Sequence, residues 1–255
     1  MGNALLTRWQ QKHPAGIHRF RIIEPNHHHT NTDHVTWFSS LEVLPKEYVP
    51  SVVVFAVKPQ EFGAILPAYY ERFHEQNPLY ISIAAGKNLR FFLAQLGDRA
   101  QIVRAMPNTP ALIGQAVTAL CAPPSLAPTM KHIATELMSA IGNVVWVEDE
   151  AQMDAVTALS GSGPAYVFLF LESLTNAGIA AGLSEATARE LALTTIAGST
   201  ALASQSQESL SQLRKNVTSP GGTTEAALSI LMEGNRFENL IKEAVLKAVN
   251  RAKQL

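Results

Sequence analysis

A short turn near the C-terminal end of the chain carries the residues with the clearest chemistry. Residues 219–224 read Ser-Pro-Gly-Gly-Thr-Thr and run directly into an alanine-rich helical pattern. The proline ends the preceding helix, while Gly221 and Gly222 allow backbone angles that other residues avoid and leave room for a ligand. Hydroxyl groups are supplied by Ser219, Thr223 and Thr224. With the free N–H groups of a helix start, this turn can bind a carboxylate or a phosphate; a plain helix cap is the alternative.

The end of a predicted buried strand is the second candidate site. Residues 52–57 form a continuous apolar run, which is typical of a parallel strand covered on both faces. Ligands bind at the carboxyl ends of such strands, so the backbone of Ala56, Val57, Lys58 and Pro59 is a candidate for binding a cofactor. Lys58 either pairs with a phosphate or is an exposed lysine at the end of a strand.

The strand predicted at residues 17–23 ends at an acidic residue, Glu24, which Pro25 and Asn26 follow. An acidic residue at this position of a dinucleotide-binding unit binds the adenosine ribose hydroxyls and favours NAD. Asn26 and the nearby histidines can instead receive the 2′-phosphate of NADP. The sequence therefore leaves the choice between NADH and NADPH open.

Three adjacent histidines, residues 27–29, lie close to Asp33 and His34 and raise the question of a metal site. Adjacent histidines in an extended segment point to alternating sides, and no second ligand pair has the spacing of a zinc site. We therefore interpret this segment as a solvent-exposed loop and predict no metal site.

Five motifs occur in the order found in the pyrroline-5-carboxylate reductase family, which the chain resembles over essentially its whole length. They are residues 56–60 (Ala-Val-Lys-Pro-Gln), 82–86 (Ser-Ile-Ala-Ala-Gly), 104–110 (Arg-Ala-Met-Pro-Asn-Thr-Pro), 159–166 (Leu-Ser-Gly-Ser-Gly-Pro-Ala-Tyr) and 219–224. Each motif is only moderately specific, but five in this order are very specific. The resemblance implies reduction of 1-pyrroline-5-carboxylate to L-proline by hydride transfer from NADPH or NADH, the last step of proline biosynthesis.

The resemblance also implies roles for individual residues. Thr224 is the candidate catalytic residue, with its hydroxyl as the proton donor near the ring nitrogen of the substrate. Asn108 is expected to contact the nicotinamide, although an Asn-Thr pair between two prolines is also a common turn. The turn at residues 160–165 either lines the substrate pocket or simply breaks a helix. The residues expected to bind the substrate are Ser219, Gly221, Gly222, Thr223 and Thr224.

The chain begins at what reads as the first turn of a helix. In a dinucleotide-binding unit, a buried strand leads into a G-x-G-x-x-G loop and the helix opens on the last glycine. The resemblance matches Gly2 to that last glycine, so Gly2 and Asn3 are expected to bind the cofactor. The first strand and the two earlier glycines are absent from this sequence. A misplaced start codon and a truncated gene are the two explanations that the sequence leaves open.

Two domains are expected. Strands that alternate with helices over residues 1–149 predict a parallel, doubly wound, Rossmann-like α/β domain without its first strand. Residues 150–255 predict an all-α domain that binds the substrate and forms dimers. Its helices are rich in small residues after Ser184 and carry an apolar stripe from Phe237 to Ala248, which favours burial against a second copy. The resemblance likewise implies an intertwined homodimer, alone or assembled further into an oligomer of dimers.

Composition excludes several classes of protein. The 255 residues carry a net charge of −1 and only 16% charged residues, which gives no indication of a nucleic-acid partner. Cys121 is the single cysteine, so no internal disulfide is possible and a reducing compartment is favoured. No signal segment and no apolar run long enough to cross a membrane is recognised. The expectation is a cytoplasmic enzyme with a small-molecule substrate.

Two other functions fit parts of the sequence. A β-hydroxyacid-type dehydrogenase of the same two-domain plan would use a lysine of the helical domain, for which Lys215 and Lys242 are the candidates. A truncated, catalytically impaired dimeric relative would follow from the missing strand and glycine loop.

Overall fold

The computed structural model of the protein describes residues 1–12, 19–26 and 29–254. The chain divides into two compact units, which are residues 1–161 with residues 249–255, and residues 162–248. Each unit has its own secondary structure and packing.

The first unit contains seven described strands in two sheets. In chain order the strands are β1 (Phe20–Ile23), β2 (Val35–Phe38), β3 (Val52–Phe55), β4 (Leu79–Ser82), β5 (Gln101–Met106), β6 (Ala116–Cys121) and β7 (Gly142–Trp146). Strands β1 and β2 pair in parallel as one sheet, and the other five form a second sheet in the order β3-β4-β5-β6-β7. The predicted strands are thus found, although the predicted residues at positions 17 and 18 lie outside the described part of the chain.

Helices connect and cover these strands. In the first unit they are α1 (Gly2–Lys12), α2 (Phe62–Phe73), α3 (Leu89–Leu96), α4 (Pro128–Ser139) and α5 (Met153–Val156). Short 3-10 turns at Pro59–Glu61, Thr109–Ile113 and Glu150–Gln152 join them to the strands. A π-helical turn, Thr157–Gly161, follows α5. It is the last element of the continuous stretch 1–161 that belongs to the first unit.

Both faces of the five-stranded sheet are buried, as a doubly wound fold requires. Leu79 and Ile81 of β4 lie in one apolar cluster with residues of α1 and α4. Tyr80, between them, lies in a second cluster with residues of α2 and α3. Because successive side chains of a strand point to opposite faces, continuous apolar runs are needed in these strands. The predicted Rossmann-like α/β class is confirmed.

The sheet is not parallel throughout, which corrects one expectation. Strands β3, β4 and β5 pair in parallel, and so do β6 and β7, but β5 and β6 pair antiparallel. Only the short segment with the 3-10 turn Thr109–Ile113 lies between β5 and β6. A parallel crossover needs a dozen or more residues, so this connection can only reverse the chain.

The second unit is entirely helical. It comprises α6 (Gly163–Ala180), α7 (Glu185–Gln205), α8 (Leu210–Asn216), α9 (Thr223–Met232), a 3-10 turn (Glu233–Asn235) and α10 (Arg236–Ala252), whose last turn is grouped with the first unit. Helices α6 and α7 approach closely where small residues meet. A methyl group added to Gly178 of α6 would lie only 3.1 Å from the Cβ of Ala188 in α7.

Candidate functional site

The carboxyl ends of β3, β4 and β5 lie at one edge of the sheet, since these strands are parallel. Strand β3 ends at Phe55, and Ala56 to Lys58 then form an extended connection to the 3-10 turn Pro59–Glu61. Ala56 and Lys58 are exposed, while Val57 is half-buried. Lys58 has no carboxylate within ion-pair distance among the residues that the structure describes. Its ammonium group is therefore available at this edge for a ligand phosphate.

Helix α1 begins at the same edge, because its first residue lies against the residue that follows β3. A methyl group added to Gly2 would lie 3.2 Å from the Cβ of Ala56. Asn3 is exposed beside it. The first N–H groups of a helix have no partner within the helix and attract anions. The structure thus brings the predicted residues of the helix start close to those that follow β3.

Interactions along α1 hold its position. The Trp9 indole N–H donates to the backbone oxygen of Leu137 at 2.7 Å, and Lys12 donates to that of Ser139 at 2.7 Å. The Arg8 guanidinium donates to the backbone oxygen of Leu112, in the loop that follows β5, at 3.0 Å. This helix start is therefore fixed relative to both α4 and that loop.

Asn108 lies after β5 at this edge, and its side chain bridges two other segments. Its Oδ1 accepts from the backbone N–H of Val117 at 3.1 Å, and its Nδ2 donates to the backbone oxygen of Ser160 at 3.3 Å. Asn108 therefore ties the loop after β5 both to β6 and to the π-helical turn. One N–H of the amide is left for a ligand, since the amide has two.

The π-helical turn Thr157–Gly161 lies over the end of β5. A methyl group added to Gly161 would be only 2.6 Å from the Met106 methyl carbon, so glycine permits this close packing. The hydroxyl oxygen of Ser160 is buried and has no hydrogen-bond partner among the described residues. The sequence motif indicated a functional turn here, but it gave no reason to select Ser160.

A buried ion pair also lies near this edge, and the sequence did not indicate it. Arg104 of β5 is 8% exposed, and its Nη1 is 2.6 Å from Oε1 of Glu150. The same carboxylate oxygen accepts from the backbone N–H of Leu89, at the start of α3, at 2.6 Å. The pair therefore joins β5, α3 and the turn before α5. Arg104 lies opposite Cys121 in the sheet, and burial, reinforced by the Glu150 carboxylate, raises the pKa of the Cys121 thiol.

The second predicted site lies in the helical unit, at the turn before α9. Gly221 has a φ of +71°, which favours glycine, and its N–H donates to Oε2 of Glu225 at 2.8 Å. The N–H of Gly222 donates to the backbone oxygen of Ser219 at 3.0 Å. A methyl group on Gly222 would lie 3.0 Å from the same backbone oxygen. The turn is thus tightly closed and needs both glycines.

Helix α9 starts without a side-chain cap of the usual kind. Its N-cap is Gly222, which has no side chain to accept from the first-turn N–H groups. Thr223 is exposed and Thr224 is half-buried, and neither hydroxyl has a hydrogen-bond partner among the described residues. The turn already binds one carboxylate, that of Glu225. The remaining first-turn N–H groups and the two hydroxyls are groups that can bind an anion, and the anion site at this turn stays a prediction.

Two other sequence predictions concerned Glu24 and the histidine segment. Glu24 is exposed at the end of β1, and its carboxylate accepts weakly from the Asn26 N–H at 3.4 Å. His27 and His28 lie outside the described residues, whereas His29 stacks on Trp37 with ring centroids 4.2 Å apart. Within the described ranges, no three His, Cys, Asp or Glu residues are grouped so as to hold a metal ion.

A surface cavity lies at the opposite edge of the five-stranded sheet, and no predicted site residue lines it. It lies between the segment that leads into β5 and the one that follows β6; its lining includes Asp98, Arg99, Gln101, Ser125 and Leu126. Among the described helices, none is long and apolar enough to cross a membrane.

Comparisons with known proteins agree with these observations. The family described as pyrroline-5-carboxylate reductase dimerisation matches residues 150–255. The pyrroline-5-carboxylate reductase of Synechocystis sp. is 38% identical, over 100% of this chain and 94% of its own length. The enzyme of the same name from Pseudomonas aeruginosa is 43% identical, over 80% of this chain and 74% of its own length.

Solved structures give the same result. The crystal structure of Plasmodium falciparum pyrroline carboxylate reductase with NADP bound matches 100% of this chain and 94% of its own, with 33% identity and a TM-score of 0.85. The pyrroline-5-carboxylate reductase structure from Coxiella burnetii matches 80% of this chain and 75% of its own, with 41% identity and a TM-score of 0.77.

Proposed function

We infer that this chain, which belongs to the pyrroline-5-carboxylate reductase family, reduces 1-pyrroline-5-carboxylate to L-proline with NADPH or NADH. The observation that carries this inference is the similarity along the whole chain to a reductase of that name. It covers both the edge of the sheet in the first unit and the turn before α9 in the second.

The residues at the edge of the sheet fit a nicotinamide dinucleotide. Gly2 has no side chain where α1 meets Ala56, so a pyrophosphate can approach the first N–H groups of the helix, Asn3 included. Lys58 has no carboxylate partner among the described residues and supplies a positive charge beside Val57 and Pro59, while Asn108 retains one amide N–H. We propose that these residues hold the cofactor, as the related P. falciparum structure holds NADP.

The turn before α9 fits the carboxylate of the substrate. We propose that the N–H groups of Thr223 and Thr224 bind it, with Gly221 and Gly222 shaping the turn and Ser219 adding a hydroxyl. The Glu225 carboxylate accepts from the Gly221 N–H, and this bond stabilises the left-handed conformation of Gly221. This arrangement holds the ring by a group that does not react, so the binding energy orients the imine.

The chemistry needs one hydride and one proton. Bound NAD(P)H supplies the hydride that forms the new C–H bond at the imine carbon. We propose that the Thr224 hydroxyl, which has no partner among the described residues, donates a hydrogen bond to the ring nitrogen of the neutral imine. That contact helps deliver the proton that completes the N–H bond of proline. Because the imine carbon becomes more electrophilic as its nitrogen takes up the proton, positioning contributes more than a strong acid or base.

The proposal includes assembly and location. Homodimer formation is supported by the dimerisation family match and by the exposed apolar side chains of α6 and α10. We also propose that the dimers assemble further. We propose that the protein is located in a reducing compartment such as the cytoplasm, because its single cysteine is buried. We place the functional boundary between residues 149 and 150, where the dimerisation family match begins, although the compact units separate after residue 161.

A spectrophotometric assay tests the proposal. The full 255-residue chain is mixed with 1-pyrroline-5-carboxylate and either NADH or NADPH, and the loss of absorbance at the nicotinamide band is followed together with the formation of proline. We expect oxidation of cofactor with equal amounts of proline formed. A folded dimer that consumes neither cofactor would contradict the proposed function.

A further inference from the structure

We propose that Ser160 is a cofactor-binding residue, whose hydroxyl hydrogen-bonds the carboxamide of the nicotinamide ring. This inference rests on the proposed function, because it assumes a nicotinamide cofactor at the carboxyl edge of the sheet. The sequence motif associated the turn at residues 160–165 with the substrate pocket, whereas this inference assigns the first residue of that turn to the cofactor.

The Ser160 hydroxyl makes no internal hydrogen bond within the described part of the chain. Its oxygen is buried and has no hydrogen-bond partner among the described residues. Buried hydroxyls in native proteins are nearly always hydrogen-bonded, and an exception calls for a ligand, a water molecule or a functional role. A serine that only broke the helix would gain nothing from a buried polar group, so an apolar residue would serve better there.

Ser160 lies close to the carboxyl end of β5. Its backbone oxygen accepts from Asn108, which follows β5, and the neighbouring Gly161 packs against Met106 at the end of that strand. Ligands of doubly wound sheets bind outside the carboxyl ends of the strands. Ser160 is therefore held at the edge where the nicotinamide end of the cofactor is expected, and it belongs to the same compact unit as that edge.

The backbone around Ser160 has an unusual conformation. Ser160 lies in a π-helical turn, a rare conformation that is often found at functional sites. The turn is held at both ends, by Thr157 Oγ1, which donates to the Met153 oxygen at 2.8 Å, and by the bond from Asn108. The extra residue of a π-turn changes where the following side chains point. Here it fixes the position of a hydroxyl that is otherwise without a partner.

The carboxamide of the nicotinamide is the ligand group that suits this hydroxyl. The carboxamide is the polar substituent of the nicotinamide ring, and it offers both an acceptor oxygen and donor N–H groups. A serine hydroxyl can donate and accept, so it can satisfy either end of the carboxamide. The substrate carboxylate, by contrast, is already assigned to the turn before α9 in the proposed function.

The test compares binding of the whole cofactor with binding of a part that lacks nicotinamide. Dissociation constants are measured by calorimetry for NADPH and for 2′-phospho-ADP-ribose, with the wild-type chain, Ser160→Ala and Ser160→Thr. We expect Ser160→Ala to bind NADPH about three- to tenfold more weakly, the effect of one lost hydrogen bond, and to bind the fragment as the wild type does. Ser160→Thr retains the hydroxyl and should recover most of the NADPH affinity.

Thr118→Val is the matched control. The Thr118 hydroxyl is also buried without a hydrogen-bond partner among the described residues, but it lies in the middle of β6. Its removal should leave both dissociation constants unchanged. Thermal unfolding and sedimentation of each variant show whether fold and assembly are retained.

Three results would overturn the inference. Equal NADPH affinity in wild type and Ser160→Ala would show that the hydroxyl does not bind the cofactor, and equal weakening of NADPH and fragment would indicate general damage. A changed KM for pyrroline-5-carboxylate with unchanged NADPH affinity would place the hydroxyl at the substrate instead. Since the binding measurements need no turnover, failure of the wild type to reduce pyrroline-5-carboxylate would contradict the proposed function separately.

Discussion

At the scale of single residues, the two sites share one feature. Each contains side-chain hydroxyls that have no hydrogen-bond partner among the described residues. The hydroxyls of Ser160, Thr223 and Thr224 have none among the described residues. Two of them follow the glycine turn before α9, and the third lies in the π-helical turn. Since a buried, unpaired polar group lowers stability, the retention of the Ser160 hydroxyl indicates binding more than folding.

Replacement of Thr224 tests the proposed mechanism at this scale. We expect Thr224→Ala and the equally bulky Thr224→Val to lower kcat about 100-fold, because a positioned proton donor contributes 10²–10⁴-fold. The free energy of unfolding should change by less than about 1 kcal/mol, since the hydroxyl makes no internal hydrogen bond that would be lost. Steady-state kinetics and urea unfolding measure the two effects.

The matched control for that test is Thr224→Ser, which keeps the hydroxyl and should keep most of the turnover. Wild-type kcat in Thr224→Val would remove the hydroxyl from the mechanism and leave Thr224 with a role only through its backbone N–H.

At the scale of elements, the sheet edge depends on close backbone contacts that few residues allow. The clearest case is the pairing of β6 with β7, where Gly142 lies opposite Ala116. Gly142 has a φ of +147°, and a methyl group there would lie 2.0 Å from the backbone oxygen of Ala116. Strand β6 also carries the N–H of Val117 that binds Asn108, so the register of this pair fixes the loop after β5.

Substitution of Gly142 should therefore be severe. We expect Gly142→Ala to lower the free energy of unfolding by at least about 3 kcal/mol, because the added carbon meets backbone atoms that cannot rotate away. Urea or thermal unfolding, followed by circular dichroism, measures the change.

A second glycine provides the control for this prediction. Gly63 is exposed within α2, and a methyl group there would meet no atom within 4 Å. Gly63→Ala should raise stability by up to about 1 kcal/mol through helix propensity. Equal stability of the two variants would show that the β6–β7 pairing tolerates a side chain at position 142.

At the scale of the whole molecule, the helical unit is more apolar on its surface than a free-standing bundle requires. Phe168 of α6 is 64% exposed and Leu240 of α10 is 62% exposed. Large contiguous apolar surfaces usually mark protein–protein interfaces. With the dimerisation family match over residues 150–255, this surface supports a homodimer that buries it.

The association is tested by placing a charge on that surface. We expect Phe168→Asp to shift the protein from dimer towards monomer at micromolar concentration, because a carboxylate buried in an apolar interface is strongly unfavourable. Analytical ultracentrifugation or light scattering after gel filtration measures the mass.

Val43→Asp is the control, because Val43 is similarly exposed, at 59%, but lies in the loop between β2 and β3 of the other unit. This variant should remain a dimer. An unchanged mass for Phe168→Asp would place the interface elsewhere on the chain.

The local pattern of the sequence was enough to predict most of the elements and the turn before α9. The apolar run at residues 52–57 predicted a buried strand, because strands covered on both faces must be apolar at every position. The prolines and glycines of residues 219–224 predicted the turn, since backbone angles depend on the residue and its immediate neighbours. The order of the five motifs predicted the family.

Contacts between residues distant in the chain were decided only by the tertiary structure. The antiparallel β6, the pairing of Arg104 with Glu150 and the buried, unpartnered hydroxyl of Ser160 each depend on which segments meet, not on local periodicity. Asn108 illustrates the difference. Its position after a strand predicted a role at the sheet edge, whereas its bonds to Val117 and Ser160 became visible only in the fold. The chain by itself thus determined which turns can bind anions, and its folding determined which polar groups are left unpaired there to bind them.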